Sequence, residues 1–228
     1  MGNAQQQNNT QVLPKFNRHN YEITAAKVYQ YVELNRNKKI QELQKLEAKL
    51  KEMFNTKQAN SESIKQLGSE CVTLLKFIKS SNIVLRNLNV LKEQSINIEE
   101  SVNSRQPFSL ELVPLVHTIV WSTTRLNLQQ ISEFNNLVIM YVDPQVLRNV
   151  EQSPSVDLEL KNYFKDLLPN PLETQEYLEQ FCKRNKIDTF ELYSVWPAES
   201  HVILDFDAPK QYTNFSQQSQ MNTVPPTE

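Results

Sequence analysis

Glycine is scarce in this chain of 228 residues, which contains it only at Gly2 and Gly68. Loops that cradle phosphates and tight β-hairpin turns both depend on residues that tolerate a positive φ angle, and glycine tolerates it best. The sequence therefore has neither a P-loop nor a dinucleotide-binding fingerprint. The same scarcity argues against a fold built from tight β-hairpins.

Metal-binding and nucleophilic motifs are also missing. The three histidines, His19, His117 and His201, are scattered singly, and we expect His117 beside a core rather than on a metal. Cys71 and Cys182 lie far apart without a CxxC partner, which predicts reduced, packed thiols. No GxSxG motif is present. These absences predict a protein that is not an enzyme and that needs no metal or cofactor.

Long apolar runs are absent as well. Nowhere do about 18 apolar residues follow one another, and the N-terminal MGNAQQQNNTQ has no apolar segment. We therefore predict neither a transmembrane helix nor a secretory signal, and a cytoplasmic location. The Met1-Gly2-Asn3 start suits N-myristoylation of Gly2, although Gln6 stands where that motif prefers Ser or Thr.

Two long apolar periodicities predict an antiparallel helical hairpin. Between Tyr21 and Phe54 there is no Pro or Gly, and apolar residues recur at helical spacing at Val28, Val32, Ile40, Leu43, Leu46 and Leu50. After the polar NTKQANSES, a second run continues this spacing at Ile64, Leu67, Cys71, Leu74, Ile78, Leu85 and Leu88. An ordinary coiled coil has the same periodicity and stays open as an alternative.

The stretch VWSTTRL, residues 120–126, predicts a corner between two shorter helices. We expect Trp121 to close a third helix and Ser122 to Thr124 to cap a fourth, whose core face carries Ile131, Phe134, Val138 and Tyr141. Arg125 can then lie over the indole ring or bond the carbonyls that end the third helix. No base or nucleophile accompanies the arginine, so Trp121 and Arg125 are predicted to be structural.

Proline marks the later helix boundaries. Asp143-Pro144 predicts an end or a kink in the fourth helix. Asn170-Pro171-Leu172-Glu173 supplies an N-cap, a first-turn proline and an acidic third position, which predicts a fifth helix through about Asn185. Its apolar stripe is Tyr177, Leu178, Phe181 and Cys182.

Three segments carry a resemblance to a known family: IVWSTTRL (119–126), YLEQFCKRNKID (177–188) and the Lys-rich NRNKKIQELQKL (35–46). Together with the order of the helices, they resemble the increased-sodium-tolerance (Ist) family of ESCRT-III-like proteins over roughly residues 20–190. The chain departs from the family at Gly68, Ser69 and Cys71, where acidic residues are common. It also has Val142-Asp143-Pro144 in place of a lysine-glycine turn, which indicates a divergent member.

The resemblance implies an all-α, ESCRT-III-like helical bundle over residues 20–190. The first two helices form a long antiparallel hairpin, two shorter helices follow, and a fifth packs back. Residues 1–19 are expected as a flexible N-terminus and residues 191–228 as an extended to disordered tail.

The function that the resemblance implies is that of a non-enzymatic ESCRT-III-like subunit in endosomal sorting and membrane scission. Such a subunit binds other ESCRT-III subunits and acidic membranes, can self-assemble, and recruits or regulates the disassembly AAA ATPase with its MIT domain. The alternative is a soluble helical-bundle adaptor in trafficking that does not remodel membranes.

Charge is distributed unevenly along the chain. Residues 15–57 contain ten Lys or Arg against five Asp or Glu, whereas residues 151–228 contain six against thirteen. A basic hairpin suits attraction to anionic lipid, although plain solvated bundles show such asymmetry too. The predicted membrane or polymer contacts are Lys27, Lys38, Lys39, Lys45 and Lys49. A pI near 6.0 argues against nucleic acid as a partner.

The tail holds a further candidate contact segment. Trp196, Ile203 and Phe206, with nearby prolines, can lie extended in a groove of a MIT-type domain. The alternative, that these side chains pack back on the core, is equally compatible with the sequence.

Overall fold

The computed structural model describes residues 15–56, 60–104, 106, 108–127, 129–139, 141, 146–165 and 169–195. All regular elements in these ranges are helical, which confirms the all-α prediction. The α-helices are α1 (Arg18–Asn55), α2 (Ser61–Glu93), α3 (Ser95–Asn103), α4 (Val113–Leu126), α5 (Gln129–Ile139), α6 (Leu158–Tyr163), α7 (Pro171–Asn185) and α8 (Thr189–Val195). A 3-10 helix, Val150–Gln152, precedes α6.

The α1–α2 hairpin is the framework of the fold, as predicted. Each helix begins at an asparagine cap: the Asn17 side chain accepts from the Asn20 N–H at 2.9 Å, and Asn60 accepts from Ser63 at 2.8 Å. The two helices contact each other along much of their length, and α4, α5 and α7 pack against them. The chain is therefore a bundle and not a plain coiled coil.

One core lies where α1, α2, α4 and α5 meet. Tyr21 is buried there and donates its hydroxyl hydrogen to the Leu91 carbonyl at 3.1 Å. The predicted face of the fourth helix, now α5 and Tyr141, is buried in the same core. The Phe16 ring packs against Tyr21 and Tyr141, with centroid distances of 5.4 and 4.7 Å. The boundary at residue 19 was therefore wrong, because the core already includes Phe16.

A second core lies towards the α1–α2 turn, where α7 packs back on the hairpin as predicted for the fifth helix. Asn170 accepts from the Glu173 N–H at 2.8 Å, and Glu173 Oε2 accepts from the Asn170 N–H at 3.0 Å. This capping box confirms the predicted helix start. α8 then buries Leu192 in the second core. Residues 191–195 are therefore helical and belong to the bundle, which corrects the predicted tail boundary.

The corner predicted at Trp121 to Thr124 lies further along the chain. Trp121 is inside α4, which continues to Leu126, and the left-handed Asn127 (φ 48°) ends the helix. The Ser122 and Thr123 hydroxyls donate to the Ile119 carbonyl at 2.8 and 3.1 Å. Hydroxyls that bond back to the preceding turn let these residues stay helical instead of capping a new helix. α3, α6 and α8 are additional to the five predicted helices.

The contact of α7 with α2 depends on Gly68. A Cβ atom added there would lie 2.9 Å from Thr174 Cγ2 and 3.0 Å from Leu178 Cγ, and both side chains are buried. Thr174 is β-branched and cannot swing away freely. Glycine is thus required here by close helix packing and not by its backbone angles.

We expect Gly68→Ala to lower the free energy of unfolding by about 1 kcal/mol. Overpacking costs about 1–3 kcal/mol and outweighs the gain of about 1 kcal/mol from alanine's helix propensity. Urea denaturation measures the difference. The neighbouring Ser69→Ala serves as the control and should not destabilise the protein, because Ser69 is only half-buried. A Gly68→Ala variant as stable as the parent would contradict the close contact.

Candidate membrane or partner interface

The solvent-facing side of α1 forms one continuous stripe. At about 100° per residue, ten exposed positions from Ile23 to Glu52 fall within an arc of about 100°. These positions, here called the α1 stripe, are Ile23, Lys27, Gln30, Leu34, Lys38, Gln41, Lys45, Ala48, Lys49 and Glu52. The opposite side of α1 buries Val28, Val32 and Leu50, which hold the helix in the bundle.

Four of the five predicted contact lysines lie on the α1 stripe. Lys27, Lys38, Lys45 and Lys49 are exposed, and no salt bridge involves them in the part of the chain that the structure describes. Lys39 differs, because it is half-buried off the stripe and its Nζ lies 2.7 Å from Glu42 Oε2. The geometry therefore leaves four ammonium groups open to an external anion.

The spacing of these lysines is fixed by a rigid helix. At 1.5 Å per residue, Lys27 and Lys38 are about 16 Å apart along the axis, and Lys45 and Lys49 are about 6 Å apart. The stripe also carries the exposed apolar side chain of Leu34 and one acidic residue, Glu52. Such a mixed surface can contact lipid headgroups or an acidic protein.

The predicted Trp121–Arg125 pair is present and makes both expected contacts. The Arg125 guanidinium lies 3.6 Å from the indole centroid, and Nη1 donates to the Trp121 carbonyl at 2.9 Å. Arg125 also binds Glu151 through two bonds of 3.1 and 2.6 Å. The hydrogen bond from Arg125 lowers the pKa of the Glu151 carboxyl. The arginine therefore joins α4 to the 3-10 helix.

Trp121 is the centre of a third apolar cluster. Its ring is buried among Ile83, Val150, Val156 and Leu160, and it meets the Phe164 ring edge-on at a centroid distance of 5.9 Å. The surrounding groups pack or form ion pairs, which supports the structural role expected for this pair.

A buried histidine network was not foreseen from the sequence. His117 Nε2 lies 2.5 Å from the Val146 carbonyl oxygen, so it carries the hydrogen. Nδ1 is then an acceptor, and the hydroxyls of Ser153 (2.8 Å) and Ser155 (3.1 Å) lie within hydrogen-bond distance of it. A serine beside a histidine is also the pairing of nucleophile and base. Here Ser153 is buried and a backbone carbonyl stands in place of the orienting carboxylate, so the network fastens residues 146–155 to α4.

Glu47 fastens α7 to the hairpin. It accepts hydrogen bonds from Tyr177 Oη at 2.7 Å and from Arg184 at 3.0 Å. Burial and the bond to Glu47 raise the pKa of Tyr177. Burial also raises the pKa of the neighbouring Cys71 thiol to about 11. Cys71 and Cys182 are both buried and do not form a disulfide, as predicted.

Other candidate features lie outside this surface. Gly2, Trp196, Ile203 and Phe206 fall outside the described residues, as does Asp143-Pro144. Among the residues described, no three metal-binding side chains come together. None of the described helices combines the length and apolarity needed to cross a bilayer.

No family model matches the chain, and no curated protein matches it.

Proposed function

We propose that the protein is a non-enzymatic, ESCRT-III-like scaffold subunit that contacts acidic membranes through the α1 stripe. The observation that carries this proposal is a long hairpin helix that packs one face in the bundle and exposes four lysines on the other, where none of them forms a salt bridge to a described residue. A rigid rod with charges on one side can lie flat on an anionic surface without unfolding.

Electrostatics gives the size of the effect. A lysine near an anionic leaflet contributes about 1 kcal/mol, so four contribute several hundred-fold in affinity at most. The attraction extends over a Debye length of about 10 Å at 0.1 M salt and is screened at higher ionic strength. Glu52 opposes part of it. Binding should therefore be moderate, reversible and dependent on salt.

The partners follow from the resemblance of residues 20–190 to the Ist family. They are other ESCRT-III subunits, further copies of this chain, and the disassembly AAA ATPase with its MIT domain. The site of action is then the cytoplasmic face of endosomal or other membranes during sorting and scission. The hairpin and the α7 helix that packs back on it support this proposal.

A protein-binding adaptor is the second candidate. Leu34 is 53% exposed between Lys27 and Lys38, and Glu52 interrupts the basic surface beyond Lys49. An apolar anchor among charges of both signs suits a protein partner as well as a membrane. An adaptor of this kind would ignore lipids.

Co-sedimentation with vesicles separates these functions. At low salt, we expect the chain to sediment with phosphatidylserine-containing liposomes and to stay in solution with phosphatidylcholine liposomes. Binding should fall steeply at about 0.5 M salt, because the contact is electrostatic. Equal binding to both lipids would contradict the electrostatic contact, and binding to neither would contradict the membrane proposal and favour the adaptor.

A further inference from the structure

An open groove lies between α1 and α2, beside the α1 stripe. It encloses about 430 Å³ and is lined by Glu42, Lys45, Leu46, Glu70, Thr73 and Leu74. Leu46 and Leu74, both half-buried, form its apolar floor. α7 contacts Glu47 and Gly68, which point about 100–120° away from these leucines, and so leaves the groove uncovered.

The two rims of this groove carry opposite charges. On the α1 rim, Lys45 is exposed and makes no salt bridge to any described residue, while Glu42 is neutralised by Lys39. On the α2 rim, Glu70 is exposed and accepts a hydrogen bond from the Gln66 side-chain amide at 3.1 Å. From α1 to α2, the surface is thus positive, then apolar, then negative.

We propose that this groove pairs two copies of the chain about a two-fold axis parallel to the hairpin. Such an axis places α1 of each copy over α2 of the other. Lys45 of each copy then meets Glu70 of the other, which gives two ion pairs. The leucines of both grooves meet between these two pairs. An axis across the hairpin would place Lys45 over Lys45, so the charges select the first arrangement.

The pairing is weak and closed. Two leucines per copy provide a small floor, below the area of about 1,200 Å² typical of stable complexes, so we expect a dissociation constant of about 10–100 µM. An isologous contact uses the same surface on both partners and ends at the dimer. Lys45 also belongs to the α1 stripe, so pairing competes with membrane contact. Only this competition rests on the proposed function, because the dimer itself does not require membrane binding.

Sedimentation equilibrium of the full chain, without lipid, tests this inference. We expect a monomer–dimer equilibrium that weakens at about 0.5 M salt. Lys45→Glu and Glu70→Lys should each weaken it at least about tenfold, because two attractive pairs become repulsive. An equimolar mixture of the two variants should dimerise again. Both contacts in the mixed dimer join unlike charges, whereas both contacts in a dimer of either variant alone join like charges.

Lys27→Glu is the matched control, with the same charge change on α1 about 27 Å from Lys45. It should leave the dimer unchanged, and circular dichroism should show that all variants are folded. A monomer at about 200 µM, a dimer indifferent to both variants, or a mixture that stays monomeric would each overturn the proposal. Liposome binding has no part in these readouts, so failure of the membrane proposal remains a separate result.

Discussion

Replacing Trp121 with alanine should lower the free energy of unfolding by about 3 kcal/mol or more. The indole is buried against α2, the 3-10 helix and α6, and these elements cannot all close on the space that it leaves. Arg125 also loses the ring beneath its guanidinium. Urea denaturation measures the effect as a lower midpoint at an unchanged slope.

Trp121→Phe is the matched control for this prediction. Phenylalanine keeps an aromatic ring in the cluster, and no described residue accepts a hydrogen bond from the buried indole Nε1. We therefore expect a loss of about 1 kcal/mol for phenylalanine, mostly from the smaller ring. If Trp121→Ala matched the parent in stability, the buried cluster would not hold these elements together.

The fold was predictable where its signals are local. The hairpin follows from apolar spacing, and the start of α7 follows from Asn170, Pro171 and Glu173 within four residues. A cap satisfies backbone groups one turn away, so the sequence contains both partners side by side. The contact between Arg125 and Trp121 is local for the same reason, because residues four apart are neighbours on a helix.

Features that the local sequence does not determine were not predictable in the same way. The hydroxyls of Ser122 and Thr123 can cap a helix or bond back to the preceding turn, and local sequence does not choose between them. The partners of His117 lie 29, 36 and 38 residues away. Likewise, the side chain of Leu192 packs in the second core, and most residues of that core are far from Leu192 in the sequence.

The α1 stripe was predictable from the sequence only in part. Helical periodicity assigns Lys27, Lys38, Lys45 and Lys49 to one side, and the structure places that side in solvent. Lys39 follows Lys38 directly but lies on another face, where Glu42 neutralises it. Composition alone groups Lys39 with the other lysines of this basic segment. The pairing with Glu42 sets it apart.

Reversing three charges on the α1 stripe should abolish binding to acidic liposomes. In the triple variant Lys38→Glu, Lys45→Glu, Lys49→Glu, three attractions of about 1 kcal/mol each are lost and replaced by repulsion. Affinity at low salt should fall by more than about a hundredfold. The three side chains are exposed and outside every salt bridge of the described chain, so the hairpin should keep its fold. Co-sedimentation measures binding, and thermal unfolding checks the fold.

A second triple variant distinguishes a membrane contact through the α1 stripe from an effect of the protein's net charge. Lys92→Glu, Arg148→Glu and Lys165→Glu change the charge by the same amount at exposed positions outside α1. If the α1 stripe lies on the membrane, this variant should keep most of its liposome binding, because its substituted residues stay in solvent. Equal losses in both variants would mean that overall charge attracts the protein without a defined face. A folded α1 variant that still sediments with acidic liposomes would exclude this stripe as the membrane contact.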